Sequence, residues 1–167
     1  MINCDIYQFE DDGEIPNNPT LPLVMYPGAM SDQQNNPGAV QTILNKHGWS
    51  GTWVNGIYSY HHYHSTAHEV LVVTGGSASV QFGGKMGEEL QIRAGDVVTI
   101  PAGVGHCKVN SSMGFQVVGA YPNGQSWDLC TGKVSERPKV LQNIKSVPLP
   151  EFDPVTGEAE PLLGYWG

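Results

Sequence analysis

Between Trp49 and Tyr121 the sequence consists of short apolar runs separated by turn residues, and this pattern constrains the fold more than any other feature. The runs cover residues 70–73, 77–82, 90–92 and 97–100, and Gly-Gly pairs or an Ala-Gly-Asp sequence stand between them. Short runs rich in β-branched residues at this spacing are typical of strands in a sandwich or barrel. We therefore predict an all-β fold with a barrel core over residues 49–121.

The composition argues against a helical protein. Of the 167 residues, 21 are glycine and 12 are proline, and only 14% are charged. Frequent Gly and Pro break helices, and few charges leave little material for the solvent-facing side of a bundle. The length suits one domain, and no repeat or linker divides the chain. We expect a single domain spanning residues 1–167.

The segment before the core, residues 1–48, is expected to be an irregular lead-in. Its apolar residues 23–26 are numerous enough for a short edge strand. One N-terminal helix is also predicted. Asn36 is a suitable N-cap, Pro37 suits the first helical position, and Gly48 suits the position after the helix.

The segment after the core, residues 122–167, is expected to be an irregular C-terminal wrap. A short helix is predicted near residues 139–147. The tail ends with Leu162, Leu163 and Trp166, which a solvated tail would not need. We expect this apolar end to pack across the barrel.

The charge balance excludes some partners. Asp and Glu number 16 against 8 for Lys and Arg, which gives a net charge of −8. This deficit of basic residues predicts no nucleic-acid partner and no anionic membrane surface. The sequence has no apolar run of membrane-spanning length and does not begin like a signal peptide. Its three cysteines are odd in number and widely separated, which favours reduced thiols and a cytoplasmic location: Cys4, Cys107 and Cys130.

Four of the six histidines lie between residues 61 and 68. Side chains alternate along a strand, so His62 and His64 are expected on one face, where two imidazoles can hold one metal ion. Glu69 has the opposite parity to His64. It therefore joins them only if residues 65–67 turn or bulge. Further along, the lone His106 follows a Pro-Ala-Gly turn and supplies a third imidazole if its strand folds back over the first.

The spacing of these residues resembles the two sequence motifs of the cupin superfamily. The first motif matches a glycine, the paired histidines, a glutamate and a glycine; the second matches a glycine, a Pro-x-Gly turn, a histidine and an asparagine. In this chain they are Gly56, His62, His64, Glu69 and Gly76, and Gly95, Pro101, Gly103, His106 and Asn110. The flanking sequences resemble small single-domain bacterial cupins without an assigned activity.

The resemblance implies a double-stranded β-helix, a jelly-roll barrel, with a metal ion in its mouth. The implied ligands are His62, His64, Glu69 and His106. His68 is a competitor for the fourth position, although its strand parity makes it, like His61, more suited to the surface or rim. Three imidazoles and one carboxylate suit one divalent transition metal ion such as Fe, Mn, Ni, Co or Zn. The alternative for this cluster is a buried polar network without metal.

Such a site suits a metal-dependent enzyme acting on a small polar or anionic molecule, as an oxygenase or an isomerase or epimerase. Tyr58 and Tyr60 share parity with His62 and are the candidate catalytic acids or hydrogen-bond donors; the alternative is that both are core aromatics. The alternative function is a non-catalytic cupin that binds a metal or small ligand. We also expect a homodimer, paired through residues 23–26 or the apolar tail.

Overall fold

The computed structural model describes residues 2–167 and consists mainly of two antiparallel β-sheets. The strands are β1 (Asp5–Tyr7), β2 (Leu23–Tyr26), β3 (Trp49–Asn55), β4 (Glu69–Gly75), β5 (Ser77–Phe82), β6 (Glu88–Arg93), β7 (Val97–Ile100), β8 (His106–Ser111) and β9 (Gln116–Pro122). The larger sheet has six strands in the order β1-β2-β7-β4-β9-β3, and the smaller has three in the order β6-β5-β8. The predicted all-β jelly-roll sandwich is thus confirmed.

The main core lies between the two sheets, where alternate residues of each strand meet. On β4, Leu71 and Val73 face this interior and pack with Val80 and Phe82 of β5. Side chains of a strand alternate between its two faces. Glu69 therefore points to the same interior as Leu71, at the end of β4 where the barrel opens. The metal-ligand candidates are placed by this alternation.

A second core covers the outer face of the larger sheet. Val70 and Val72 of β4 point outward and pack with residues of the helices α1 (Pro37–Lys46) and α3 (Leu162–Trp166). Every residue of β4 is therefore buried. Burial on both faces explains why residues 70–73 form a continuous apolar run in place of an alternating one.

The predicted helices are present. Asn36 accepts a hydrogen bond from the Ala39 amide at 3.1 Å, Pro37 is the first residue of α1, and Gly48 follows the helix with φ of +83°. A second helix, α2, covers Lys139–Ser146. The five-residue helix α3 was not predicted from sequence. It carries the buried Trp166, so the expectation that the tail packs on the sheets is confirmed.

One expectation about an exposed surface is wrong. Residues 23–26 do not form an edge strand, because β2 lies between β1 and β7 and is fully buried. The apolar tail is covered as well, since Leu162 and Trp166 pack into the outer core. Residues 23–26 therefore offer no free edge for pairing, and the expected homodimer stays a prediction. Within residues 2–167, no helix is long and apolar enough to cross a membrane.

Candidate metal centre

Three of the four predicted ligands converge at the open end of the sandwich. The side-chain ligand atoms of His64, Glu69 and His106 lie within 4.8 Å of one another, and all three residues are buried. Glu69 Oε1 is 3.5 Å from His64 Nε2 and 3.4 Å from His106 Nε2. Donor atoms that bind one ion at ~2.1 Å lie roughly 3.0–3.4 Å apart. The observed separations are close to those of donors around one ion.

Backbone pairing brings these residues together from distant segments. Glu69 begins β4 and His106 begins β8. His62 and His106 exchange backbone hydrogen bonds of 3.2 and 2.9 Å, which ties the histidine segment to β8. The chain bends at Ser65 and Thr66 before β4 starts. This is the interruption that the sequence required for Glu69 to join the histidines.

Backbone carbonyls hold all three imidazoles in one orientation. The Nδ1 atoms of His62, His64 and His106 lie 2.9, 2.5 and 3.3 Å from the carbonyl oxygens of Tyr60, Asp128 and Val104. A carbonyl oxygen accepts only, so in each neutral ring Nδ1 carries the proton and the Nε2 lone pair is available. This arrangement is common for metal-binding histidines, because the outer hydrogen bond fixes the ring and its tautomer.

The carboxylate of Glu69 is only half satisfied. Its Oε2 accepts a 3.0 Å hydrogen bond from Tyr121 Oη, which in turn accepts one of 2.8 Å from Trp53 Nε1. Its Oε1 is buried and has no hydrogen-bond partner within residues 2–167, although two imidazole nitrogens face it. An unpaired buried carboxylate oxygen is costly. A cation bound between Oε1 and the two Nε2 atoms would remove this cost, so the residues fit a metal ion.

The pKa shifts follow from burial and from the carboxylate. Burial and, to a smaller extent, the neighbouring His106 lower the pKa of His62 to about 3. Burial also disfavours the charged form of His64, but the adjacent Glu69 outweighs it and raises the His64 pKa above 6.5. Burial raises the pKa of Glu69, but the neighbouring His64 and His106 outweigh burial and bring this pKa well below the ordinary value. The buried carboxylate is therefore ionised, as a ligand must be.

His62 lines the same pocket but stands slightly apart from the other three ligands. Its ring centroid is 4.0 Å from that of His106 and 6.1 Å from that of His64. It does not belong to the group of ligand atoms within 4.8 Å. His62 as fourth ligand therefore stays a prediction.

His68 is neither a surface residue nor a competitor for the metal. It has the parity expected from the sequence, opposite to Glu69, but the outer face there is covered by α3. The His68 ring is fully buried 4.9 Å from the Trp166 ring, and its Nδ1 accepts a 2.9 Å hydrogen bond from the Ala102 amide. Burial lowers its pKa to about 4. The expectation of a rim position is wrong because the distant tail folds over this face.

The pocket above the ligands has a volume of about 430 Å³. Its walls are mainly aromatic and aliphatic, and they include one cationic side chain, Lys108. The Trp127 ring lies 5.2 Å from that of His64 and stacks at 24° on Tyr121. Sequence reasoning missed Trp53, Tyr121 and Trp127, because no local spacing relates them to the histidines.

The segment carrying Trp127 is anchored beside the ligands. The Asp128 carboxylate accepts hydrogen bonds from the Ser65 amide at 2.6 Å and from the Ser65 hydroxyl at 2.5 Å. The backbone carbonyl of Asp128 accepts a further hydrogen bond from His64 Nδ1. Burial raises the pKa of Asp128, but the bonds from Ser65 outweigh it and lower the pKa below 3.8. Asp128 thus fixes both the bend after His64 and the orientation of its ring.

The two candidate catalytic tyrosines lie at the pocket mouth. Tyr58 and Tyr60 stack with centroids 5.0 Å apart, and both rings pack edge-on against His62. Tyr58 lines the pocket, whereas Tyr60 lies outside the lining. They are 49% and 43% exposed, so the alternative that both are core aromatics is wrong. Their catalytic role stays a prediction.

Comparison with known sequences identifies the family to which this chain belongs. A family model described as Cupin matches residues 52–129, and the chain belongs to the cupin family. A relative from Bacillus subtilis (strain 168), named as the uncharacterized protein YjlB, is 48% identical over 160 residues. That match covers 96% of this chain and 94% of the relative.

Solved structures give weaker, partial matches. The chain is similar to pumpkin seed globulin with 22% identity and a TM-score of 0.41, over 58% of this chain and 28% of the globulin. It is similar to the WlaRB TDP-quinovose 3,4-ketoisomerase of Campylobacter jejuni with 16% identity and a TM-score of 0.42. That match covers 55% of this chain and 74% of the ketoisomerase. A match to acireductone dioxygenase of Bacillus anthracis has 16% identity and a TM-score of 0.35, over 56% of this chain and 58% of the dioxygenase.

Proposed function

We propose that this cupin is a metal-dependent enzyme that acts on a small polar or anionic molecule, as an oxygenase or an isomerase or epimerase. The observation that carries the proposal is the unpaired Glu69 Oε1, buried between the Nε2 atoms of His64 and His106. It lies at the floor of a pocket of about 430 Å³, large enough for a small substrate. A buried polar network without a metal would satisfy that oxygen only with a proton on the Nε2 atom of a neighbouring imidazole.

The proposed ligands are His62, His64, Glu69 and His106, for one divalent transition metal ion such as Fe, Mn, Ni, Co or Zn. With three neutral imidazoles and one carboxylate, the charge of a divalent ion is only half neutralised. When bound, the ion would supply Lewis-acid chemistry and, if it is iron, chemistry with dioxygen. The remaining positive charge favours an anionic substrate.

The chain's own groups would orient the ligands and exclude water. Tyr121 holds Glu69 by its Oε2, and the carbonyl of Asp128 holds the ring of His64. Trp53 and Trp127 cover the pocket walls and limit the access of water to the cluster. Tyr58 is the proposed proton donor, because it lines the pocket and packs against His62.

The first experiment is elemental analysis of protein purified without a histidine tag. We expect one divalent ion per chain, and we expect Glu69→Ala and His106→Ala to remove it while the far-ultraviolet spectrum stays β-like. His61→Ala is the matched control, because His61 is adjacent to His62 but lies outside the pocket lining. Metal content below stoichiometry after supplementation, in protein that remains folded, would contradict the proposal.

The reaction type is tested with the Fe(II)-loaded protein and a panel of hydroxy acids and diketones. Substrate-dependent uptake of dioxygen would establish an oxygenase. Conversion of a substrate without dioxygen uptake would establish an isomerase or epimerase. Thermal stabilisation by a panel member without any conversion would support the non-catalytic binding protein instead.

A further inference from the structure

Lys108 extends the candidate site beyond the metal ligands. It lies two positions after His106 on β8, and residues two apart on a strand share a face. Their Cα atoms are therefore about 6.6 Å apart along the strand. Lys108 lines the pocket together with the metal-ligand candidates. An ammonium group is thus placed along the same wall as the metal cluster.

The Lys108 ammonium group has no carboxylate partner in the described part of the chain. The ion pairs found there join Lys85 to Glu14 and Arg137 to Asp11, together with the contacts of Glu69 to His64 and His106. Lys108 is half-buried, and its backbone amide donates to the Tyr58 carbonyl at 2.9 Å, which fixes the strand beside the pocket wall. A half-buried lysine that faces a cavity is available to a bound anion.

The charges of the pocket favour an anion strongly. The lining carries one carboxylate, Glu69, and one ammonium group, Lys108, so a divalent ion would bring the site to a net charge of +2. The chain as a whole has a net charge of −8. A positive pocket in an acidic protein draws small anions to this one place, because the low-dielectric walls focus its field.

The side chains of the pocket walls set a second requirement for the bound molecule. Trp53, Tyr58 and Trp127 present ring surfaces to the cavity, and Ile57 and Leu71 add aliphatic surface. Rings prefer to stack on flat, polarizable groups, which gain contact area with little loss of freedom. Besides the tyrosines, the tryptophans and the candidate metal ligands, the described lining has one uncharged polar side chain, Asn55. A polyhydroxylated substrate would find few partners there.

We infer that the pocket selects a compact, flat carboxylate, such as an unsaturated or aromatic acid, whose carboxylate pairs with Lys108 while its body lies between the aromatic walls. This inference rests on the proposed function, since it names the substrate class of the same site. Lys108 is then a specificity-determining residue, and Trp127 contributes affinity without selecting charge.

The test uses benzoate and its neutral isostere benzamide as probes of the Zn²⁺-loaded protein. Binding is followed by NMR titration of the tryptophan indole N–H signals. A charge-assisted pair predicts that benzoate binds about tenfold more tightly than benzamide. Lys108→Met should reduce this preference severalfold, leaving the part that the metal ion supplies, and Lys108→Arg should retain it. Lys145→Met removes an exposed charge from α2 and should change nothing.

Trp127→Ala should weaken both probes equally. Equal binding of the two probes to the unaltered protein would overturn the inference, and so would a preference that is undiminished in folded Lys108→Met. Repeating the titration after treatment with a chelator separates the two proposals. If Zn²⁺ binds but Lys108 does not discriminate, the substrate class is wrong and the metal site stands. If no Zn²⁺ binds but the Lys108-dependent preference persists, the metal enzyme is wrong and the anion site stands.

Discussion

Tyr121 Oη donates a 3.0 Å hydrogen bond to Glu69 Oε2 and thereby turns the other carboxylate oxygen towards His64 and His106. Tyr121 belongs to β9 and Glu69 to β4, two strands that pair side by side in the larger sheet. The tyrosine is in turn held by Trp53 from β3, on the other side of β9. Residues of three neighbouring strands therefore determine the orientation of the Glu69 carboxylate.

Tyr121→Phe should lower metal affinity. Without the phenol, Glu69 can rotate and the ligand set loses its fixed geometry, so we expect a loss of about 10- to 100-fold, as for other groups that orient a ligand. Competition with a chromophoric chelator measures it. The matched control is Tyr63→Phe, because Tyr63 is also buried and donates to a carboxylate, that of Glu136, away from the pocket. Equal losses of affinity in the two variants would contradict the assignment.

Gly119→Ala should displace Trp53. The two residues face each other on β9 and β3, and a Cβ at position 119 would overlap the indole ring. We expect the bond from Trp53 Nε1 to Tyr121 to break, with a cost of about 1–3 kcal/mol in the free energy of unfolding from overpacking. Urea denaturation and the Trp53 indole N–H signal measure both effects. Gly56→Ala is the control, because a Cβ there meets nothing within 4 Å. An unchanged Trp53 signal in Gly119→Ala would refute the close approach.

Metal affinity should depend on pH through His64. Glu69 raises the pKa of His64 above 6.5, whereas burial keeps the pKa of His62 at about 3. Above the His64 pKa the ring is neutral and binds the ion directly; below it, the ion must displace a proton, so affinity falls as pH decreases. We expect Zn²⁺ affinity to decline already near neutral pH, with His62 releasing no proton.

NMR titration of the imidazole signals in chelator-treated protein tests this assignment. His64 should titrate above 6.5 and His62 should stay neutral throughout the range from pH 5 to 8. In Glu69→Gln the His64 pKa should fall, because the charge that raises it is gone. A His64 pKa that does not respond to Glu69→Gln is the result incompatible with this explanation.

Trp166→Ala should destabilise the fold. Trp166 is buried, its Nε1 donates to the Pro22 carbonyl at 2.8 Å, and its ring covers His68. Removing so large a buried side chain costs about 3–5 kcal/mol in the free energy of unfolding. Tyr165→Ala is the matched control, since Tyr165 lies in the same helix and is 41% exposed. Similar losses in both variants on denaturant unfolding would show that α3 does not depend on this contact.

The candidate metal ligands could be proposed from the sequence because their spacing is a local property. Alternation along a strand places His62 and His64 together, and the polar interruption at residues 65–67 lets Glu69 rejoin them. The same local reasoning located α1, since Asn36 and Gly48 carry cap and stop signals that need no tertiary contact.

The surroundings of the cluster were decided by the tertiary structure alone. The parity of His68 was predicted correctly, but its burial depends on Trp166, almost a hundred positions away. The contacts of Tyr121 with Glu69 and of Asp128 with His64 likewise join segments with no periodic relation in sequence. The sequence by itself therefore determined which groups could bind a metal. Only the packing of the strands and the tail determined which oxygen of Glu69 faces the candidate metal site. Such contacts arise when distant segments bury their surfaces against one another.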